Sequence, residues 1–363
     1  MTKGTLKKIK IVGIACAVPK TKVEYTEYFD TFGETNVKKF VKMTGVKSRH
    51  LSKKEQTSSD LAFAAAEKLL DELKWERDSI DGIIFVTQTP DYKIPATACV
   101  LHKRLGLSEN CIAFDVNLGC SGYVYGVHMA ASYMQCENIK RMLLLVGDTS
   151  NKAVSNQDKS SAMLFGEGGA ATAFERDDDA EGIQFLLRTK GDGFKAIILP
   201  SGAYRNPDGK KERYEFAEGV IRSDYELYMN GTEVFNFTIS DVPKAINEFE
   251  EIFKRNKEDT DLYVMHQANV FMLKTIAGRA DIPKDKMPIS MDRYGNTSVT
   301  SIPLTICDAC EKMKEHKKLN LTCSGFGVGL SWGVISMQVE SDKCFPIIET
   351  DDCFLEGGLI ADD

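Results

Sequence analysis

Asp115-Val116-Asn117-Leu118-Gly119-Cys120-Ser121-Gly122 joins two segments of different character. Before it, Cys111 to Val116 is a short apolar run of strand type. After it, Tyr123 to Gln135 is rich in Ala, Met and Val and reads as a helix. Small residues flank Cys120, so the backbone can turn sharply where the strand ends and the helix begins. A thiol at a helix N-terminus feels the dipole, which is expected to lower its pKa toward a reactive thiolate. A buried structural cysteine, the reading given to Cys111, fits the same position.

Outward from this turn, strands and helices alternate. Ile9 to Ala15 reads as a strand, Ser58 to Leu73 as a helix, Asp81 to Thr87 as a buried strand and Pro95 to Leu105 as a helix. Arg141 to Gly147 and Ala170 to Phe174 complete a first set of strands. A similar order recurs: strand 182–187, helix 232–253, strand 261–265, helices 270–278 and 302–317, and strands 319–323 and 332–339. The chain therefore reads as two α/β halves of related plan, 1–175 and 180–340, with a mostly parallel sheet expected. Pro200 to Arg222 reads as a long exposed loop. Residues 341–363 read as an acidic, solvated extension in which Phe345 to Ile348 has the composition to dock.

With 363 residues the chain exceeds one small core. Fifty-three acidic against 46 basic residues give a net charge of −7, which argues against a nucleic-acid partner. No apolar run reaches the about 20 residues that span a bilayer. Lys3, Lys7, Lys8 and Lys10 before the apolar run from Ile11 to Val18 loosely mimic a leader peptide. The run is short and stops at Pro19, so it reads as a buried strand and the chain as cytoplasmic. The ten cysteines are scattered and fit reduced thiols. Cys307-x-x-Cys310 lacks a second ligand pair, so no metal is expected.

Three further segments carry candidate chemistry. His266 follows the strand 261–265, at the edge where α/β proteins bind ligands. His102, His128 and His316 fall on expected helices and His50 in a loop. Asn296, in Tyr294-Gly295-Asn296-Thr297-Ser298, reads by itself as a helix cap. Gly325-Phe326-Gly327-Val328-Gly329 does not match the dinucleotide pattern and suits a backbone N–H aimed at an oxyanion. Phe165 to Ala170 reads as a tight connection.

In this order and spacing, the four segments resemble the thiolase-like condensing enzymes, in particular the β-ketoacyl-acyl-carrier-protein synthase III group, over residues 9–340. Thr44-Gly45-Val46 with Arg49, and Met229 to Phe235, match further landmarks of that group. The resemblance implies a five-layered αβαβα sandwich, a homodimer and no cofactor. It implies that Cys120 attacks an acyl thioester of coenzyme A or a carrier protein, with the N–H groups of Cys120 and Val328 as the oxyanion hole. It implies that His266 and Asn296 stabilise the enolate left when a malonyl thioester loses carbon dioxide. Phe326 is expected to shield the thiol, and Gly327, Ile94 and Phe165 to line the substrate site.

The sequence departs from the group where coenzyme A and the carrier dock. Lys39 and Lys159 stand where a tryptophan and an arginine stack on the adenine, and Phe271 and Asn236 replace an arginine and a lysine. Lys274 and Arg279, with Lys39 and Lys159, are the cations left for an acidic carrier. The alternatives are an acyltransferase that passes the acyl group to an alcohol or amine without decarboxylation, a papain-type hydrolase and a non-catalytic relative. Intact Cys120, His266 and Asn296 argue against the last.

Overall fold

The computed structural model describes residues 2–355. The strands of its two large sheets are β1 (Thr2–Leu6), β2 (Ile9–Pro19), β3 (Gly82–Val86), β4 (Ile112–Val116), β5 (Arg141–Asp148), β6 (Gly168–Arg176), β7 (Ile183–Thr189), β8 (Leu262–Met265), β9 (Lys318–Gly327), β10 (Ser331–Glu340) and β11 (Ile348–Thr350). One sheet runs β11-β2-β6-β5-β3-β4 and the other β1-β7-β10-β9-β8. The order β2-β6-β5-β3 in the first and β7-β10-β9-β8 in the second carry the same directions: antiparallel, antiparallel, parallel. The first sheet has three parallel pairings of five, in line with the mostly parallel sheet expected, whereas the second has one of four. No helical crossover separates β9 from β10, so β10 returns antiparallel beside β9.

The main helices are α1 (Glu34–Thr44), α2 (Ser58–Leu73), α3 (Thr97–Arg104), α4 (Gly122–Tyr133), α5 (Gly231–Phe253), α6 (Val270–Arg279) and α7 (Ser301–Glu311). Helices α2 and α3 cover the outer face of the first sheet, α4 and α7 lie between the sheets, and α5 covers the second with α6 against it. The result is five layers. Helix α2 buries Leu61, Ala65 and Leu69 and starts with a capping box, the Thr57 N–H donating to Asp60 Oδ2 at 2.8 Å. Helix α4 meets a sheet on both sides and is accordingly apolar nearly all round, with Tyr123, Val124, Val127, Ala130 and Ala131 fully buried. It approaches β5 closely at Gly126, where a Cβ would lie 2.6 Å from Leu144 Cδ1.

Several elements differ from expectation. β1 was not expected, because Thr2, Lys3 and Thr5 give it no apolar alternation; it is an edge strand paired with β7. Segment 200–222 is not all loop: Tyr214–Ala217 pairs with Val220–Arg222. Helix α7 stops at Glu311, which leaves His316 outside it, and His50 lies on the short strand Ser48–His50. Residues 344–355 dock instead of extending into solvent. The Phe345 N–H donates to the Ile14 carbonyl at 2.9 Å, β11 pairs with β2, and the Phe354 N–H donates to Asp60 Oδ1 at 2.9 Å. The acidic residues Glu356, Asp362 and Asp363 lie outside the described residues. Among the described residues no helix is long and apolar enough to cross a membrane.

Candidate active site

The C-terminal ends of β4, β5, β8 and β9 bring the motif segments to one place. Cys120 sits in the turn from β4 to α4 and is 8% exposed. The turn is tight, with the Gly122 N–H donating to the Gly119 carbonyl at 2.6 Å. Gly327, at the end of β9, packs against it: a Cβ there would lie 2.5 Å from Cys120 Cβ and 3.0 Å from Sγ. The N–H groups of Val328 and of Cys120 itself both point at the sulfur. His266 follows β8; its ring meets Phe326 edge-on at 5.4 Å, and Nδ1 lies 2.7 Å from Ser301 Oγ at the start of α7.

Ser298 holds these parts together. Its hydroxyl faces the Cys120 thiol, its backbone lies against the His266 ring, and its N–H donates to Asn296 Oδ1 at 3.0 Å. The residue adopts φ +50°, an uncommon left-handed conformation for a non-glycine residue, which lets three groups of one residue face three side chains. Asn296 is fixed by its N–H to the Leu164 carbonyl at 2.9 Å, and its Nδ2 has no hydrogen-bond partner among the described residues. Its amide donor is therefore free for a ligand.

The electrostatics correct one expectation. Burial pushes the Cys120 thiol up to about 11, with the Asp148 carboxylate adding to the rise, while Ser298 and the Val328 and Cys120 N–H groups oppose it. The unliganded site thus holds a thiol. Burial also lowers His266 to about 3, the Ser298 carbonyl opposing, so the imidazole is neutral at neutral pH. No cluster of three or more side chains suited to a metal occurs among the described residues.

Of the expected lining residues, Phe165 is buried and its backbone bridges to Asn296. Ile94 is 80% exposed on the loop before α3, so it does not line its own chain's site. Lys39 on α1, Lys274 and Arg279 on α6 and Lys159 are all exposed. Arg279 Nη1 donates to the Ile239 carbonyl at 2.7 Å, and Lys159 lies over Gly219 of the 214–222 hairpin. Phe271 is exposed and stacks on Phe235 at 5.8 Å. Sequence reading missed Ser298, Ser301 and Asp148. Ser298 stands inside the Asn296 segment, yet its left-handed backbone has no signature in its residue type.

A thiol at a strand–helix turn, two N–H groups on its sulfur and a neutral His–Asn pair, within a five-layered sandwich, define a thiolase-fold acyltransferase. Two family models match, 3-oxoacyl-[acyl-carrier-protein (ACP)] synthase III over residues 114–191 and its C-terminal region over residues 253–339. The β-ketoacyl-[acyl-carrier-protein] synthase III of Clostridium perfringens is 33% identical over 336 residues, covering 92% of this chain and 100% of that one. The Staphylococcus saprophyticus enzyme of that name is 32% identical, covering 91% and 98%. The crystal structure of a 3-oxoacyl-(acyl-carrier protein) synthase from Burkholderia xenovorans superposes with a TM-score of 0.89 at 37% identity, over 96% of this chain and 99% of that one. The chain belongs to the 3-oxoacyl-[acyl-carrier-protein] synthase III family and is an acyltransferase of the condensing type.

Proposed function

We propose that this enzyme takes an acyl group from a coenzyme A or carrier-protein thioester onto Cys120 and condenses it with a malonyl thioester, with loss of carbon dioxide, in fatty-acid synthesis. The observation that carries this reading is the convergence of the Val328 and Cys120 N–H groups on the Cys120 sulfur, beside a neutral His266 and a free Asn296 amide. In the first half-reaction the thiolate attacks the thioester carbon and the two N–H groups hold the oxyanion. In the second, His266 and Asn296 donate to the malonyl thioester oxygen. A neutral imidazole suits this role, since it donates without protonating the enolate. Phe326 and Phe165 wall the site. Lys39, Lys159, Lys274 and Arg279 offer the positive charge for a carrier.

We also read residues 1–175 and 180–340 as two copies of one unit, supported by the shared strand order, and the enzyme as a cytoplasmic homodimer. The free edge of β4, with Ile112 exposed and Phe114 packed on Tyr133 at 5.4 Å, suits pairing with a second copy. Exposed Ile94 precedes α3, whose first N–H groups donate to Asp115 of β4, so a partner across that edge would be within its reach.

Intact-protein mass spectrometry with acetyl-, butyryl- and octanoyl-coenzyme A tests the chemistry. A mass gain on wild type, absent from Cys120→Ala and discharged by a malonyl thioester with carbon dioxide release, is expected. Discharge only by an alcohol or amine would replace condensation with simple acyl transfer. His266→Ala and Asn296→Ala should acylate but condense at least about 100-fold more slowly; equal loss of both steps would contradict the division of labour.

A further inference from the structure

Acylation of Cys120 must dispose of the thiol proton, and the roles above provide no acceptor. Neutral His266 is a weak base in this setting. The remaining titratable group beside the thiol is Asp148, the last residue of β5, which is fully buried. Its Oδ1 accepts from the Gln88 N–H at 2.7 Å, Thr87 Oγ1 at 3.1 Å and Thr89 Oγ1 at 3.4 Å. Its Oδ2 is buried with no partner at full hydrogen-bond geometry. An orphaned carboxylate oxygen in a core is costly unless something is gained by keeping it.

The 298–300 turn presents the Ser298 hydroxyl and the Val299 N–H to this carboxyl. That hydroxyl also meets the Cys120 thiol, and it lies 3.3 Å from where a Gly119 Cβ would stand, beside the nucleophile. Ser298 therefore spans the gap between sulfur and carboxylate. The elements packed around Asp148 otherwise offer Thr87, Gln88, Thr89 and Val299, all uncharged; Cys120 and His266 are the titratable groups of the site.

We propose that Asp148 is a positioning residue for the thiol proton of Cys120, receiving it through the Ser298 hydroxyl when the acyl group is loaded and returning it when Cys120 is released. The inference rests on Cys120 as nucleophile. In loading, the S–H proton passes to Ser298 Oγ as the Ser298 proton passes to Asp148 Oδ2. The thiolate forms the new C–S bond, and the donor's C–S bond breaks to release a thiolate that solvent protonates. In condensation, the carbanion left by decarboxylation forms a C–C bond to the acyl carbon and the bond to Cys120 breaks. The Cys120 thiolate then recovers the proton held on Asp148. Over both steps one proton is taken from solvent, and nothing is oxidised or reduced.

The test uses the full chain, with Asp148→Asn, Ser298→Ala and the double variant, each checked for folding by circular dichroism. One arm follows acylation by the same acyl-coenzyme A panel in rapid-quench mass spectrometry. Both single variants should acylate about 100-fold or more slowly, and the double variant no more slowly than the worse single one. Wild-type rates in folded Asp148→Asn would overturn the proposal. If that variant does not fold, Ser298→Ala decides, and a wild-type rate there overturns it equally.

The second arm needs no acyl donor. Alkylation of Cys120 by iodoacetamide is read on its own peptide across pH. Transfer to Asp148 makes the thiolate without changing the site's proton count, so wild type should show a pH-independent floor between about pH 6 and 8 that both variants lose. A tenfold fall per pH unit in wild type as in Asp148→Asn would sink the relay. Absence of any adduct on wild type in the first arm would instead be a failure of the acyl-transfer reading, with the alkylation arm still judging Asp148.

Discussion

At Gly327 a single hydrogen atom decides whether Cys120 fits. A methyl group there would stand 2.5 Å from Cys120 Cβ, and the two segments have backbone on both sides. Gly327→Ala should lower stability by about 1–3 kcal/mol in urea unfolding and slow acylation about 100-fold, since the sulfur must leave its two N–H donors. His266 gives a pH signature. Its folded pKa of about 3 lies below the unfolded 6.5, so as pH falls below 6.5 the unfolded chain takes up a proton that the native site refuses. Native stability from this residue is full above pH 6.5 and falls by about 2 kcal/mol by pH 5. Urea titrations at both pH values should show that loss in wild type and not in His266→Asn. Cys120 and His266 were legible because each places a reactive side chain where a strand gives way to a helix, and Asn296 because it stands between a glycine turn and a helix start. Ser298 and Asp148 were not, because a serine at φ +50° and an aspartate closing an apolar strand look like any turn residue until the fold sets them beside the thiol.

Elements with strong periodicity were legible to within a residue or two, as α2 shows, since its apolar face and capping box specify the same span. Others depended on distant partners. β9 continues through Gly325-Phe326-Gly327, a stretch that reads as loop, because β10 lies against it with Gly325 opposite Gly333 and Gly327 opposite Ser331. Glycine is poor in an isolated strand and well suited where two backbones and a helix converge. The docked tail is similar: β11 has only three residues and no pattern of its own. Its anchor is Phe345, buried with its ring carbon 3.4 Å from where a Gly13 Cβ would stand. Phe345→Ala should cost about 3 kcal/mol in urea unfolding, while acylation of the folded enzyme stays at the wild-type rate.

At the scale of the molecule, the fold brings two strand–helix junctions together, the β4–α4 turn supplying the thiol and the β8–α6 junction the histidine. The junctions themselves were readable from element order; the mixed strand directions were not, because they depend on which connections carry a helix. If the free edge of β4 seats a second copy, light scattering should give twice the 40.4 kDa chain mass, and Ile112→Lys should shift it toward one.

The first and last of the described strands are exchanged between the sheets. β1 pairs with β7 of the second sheet, and β11 closes the outer edge of β2 in the first. On a ribosome, the opening strand waits for residues 183–189 to emerge, and the first sheet keeps a bare edge until residue 350 has been made. Completion of the first sheet thus waits until residues 348–350 have emerged. A nascent chain arrested near its middle would expose an unpaired β2 edge and a β1 without a neighbour, an adhesive intermediate that holdase chaperones are suited to shield.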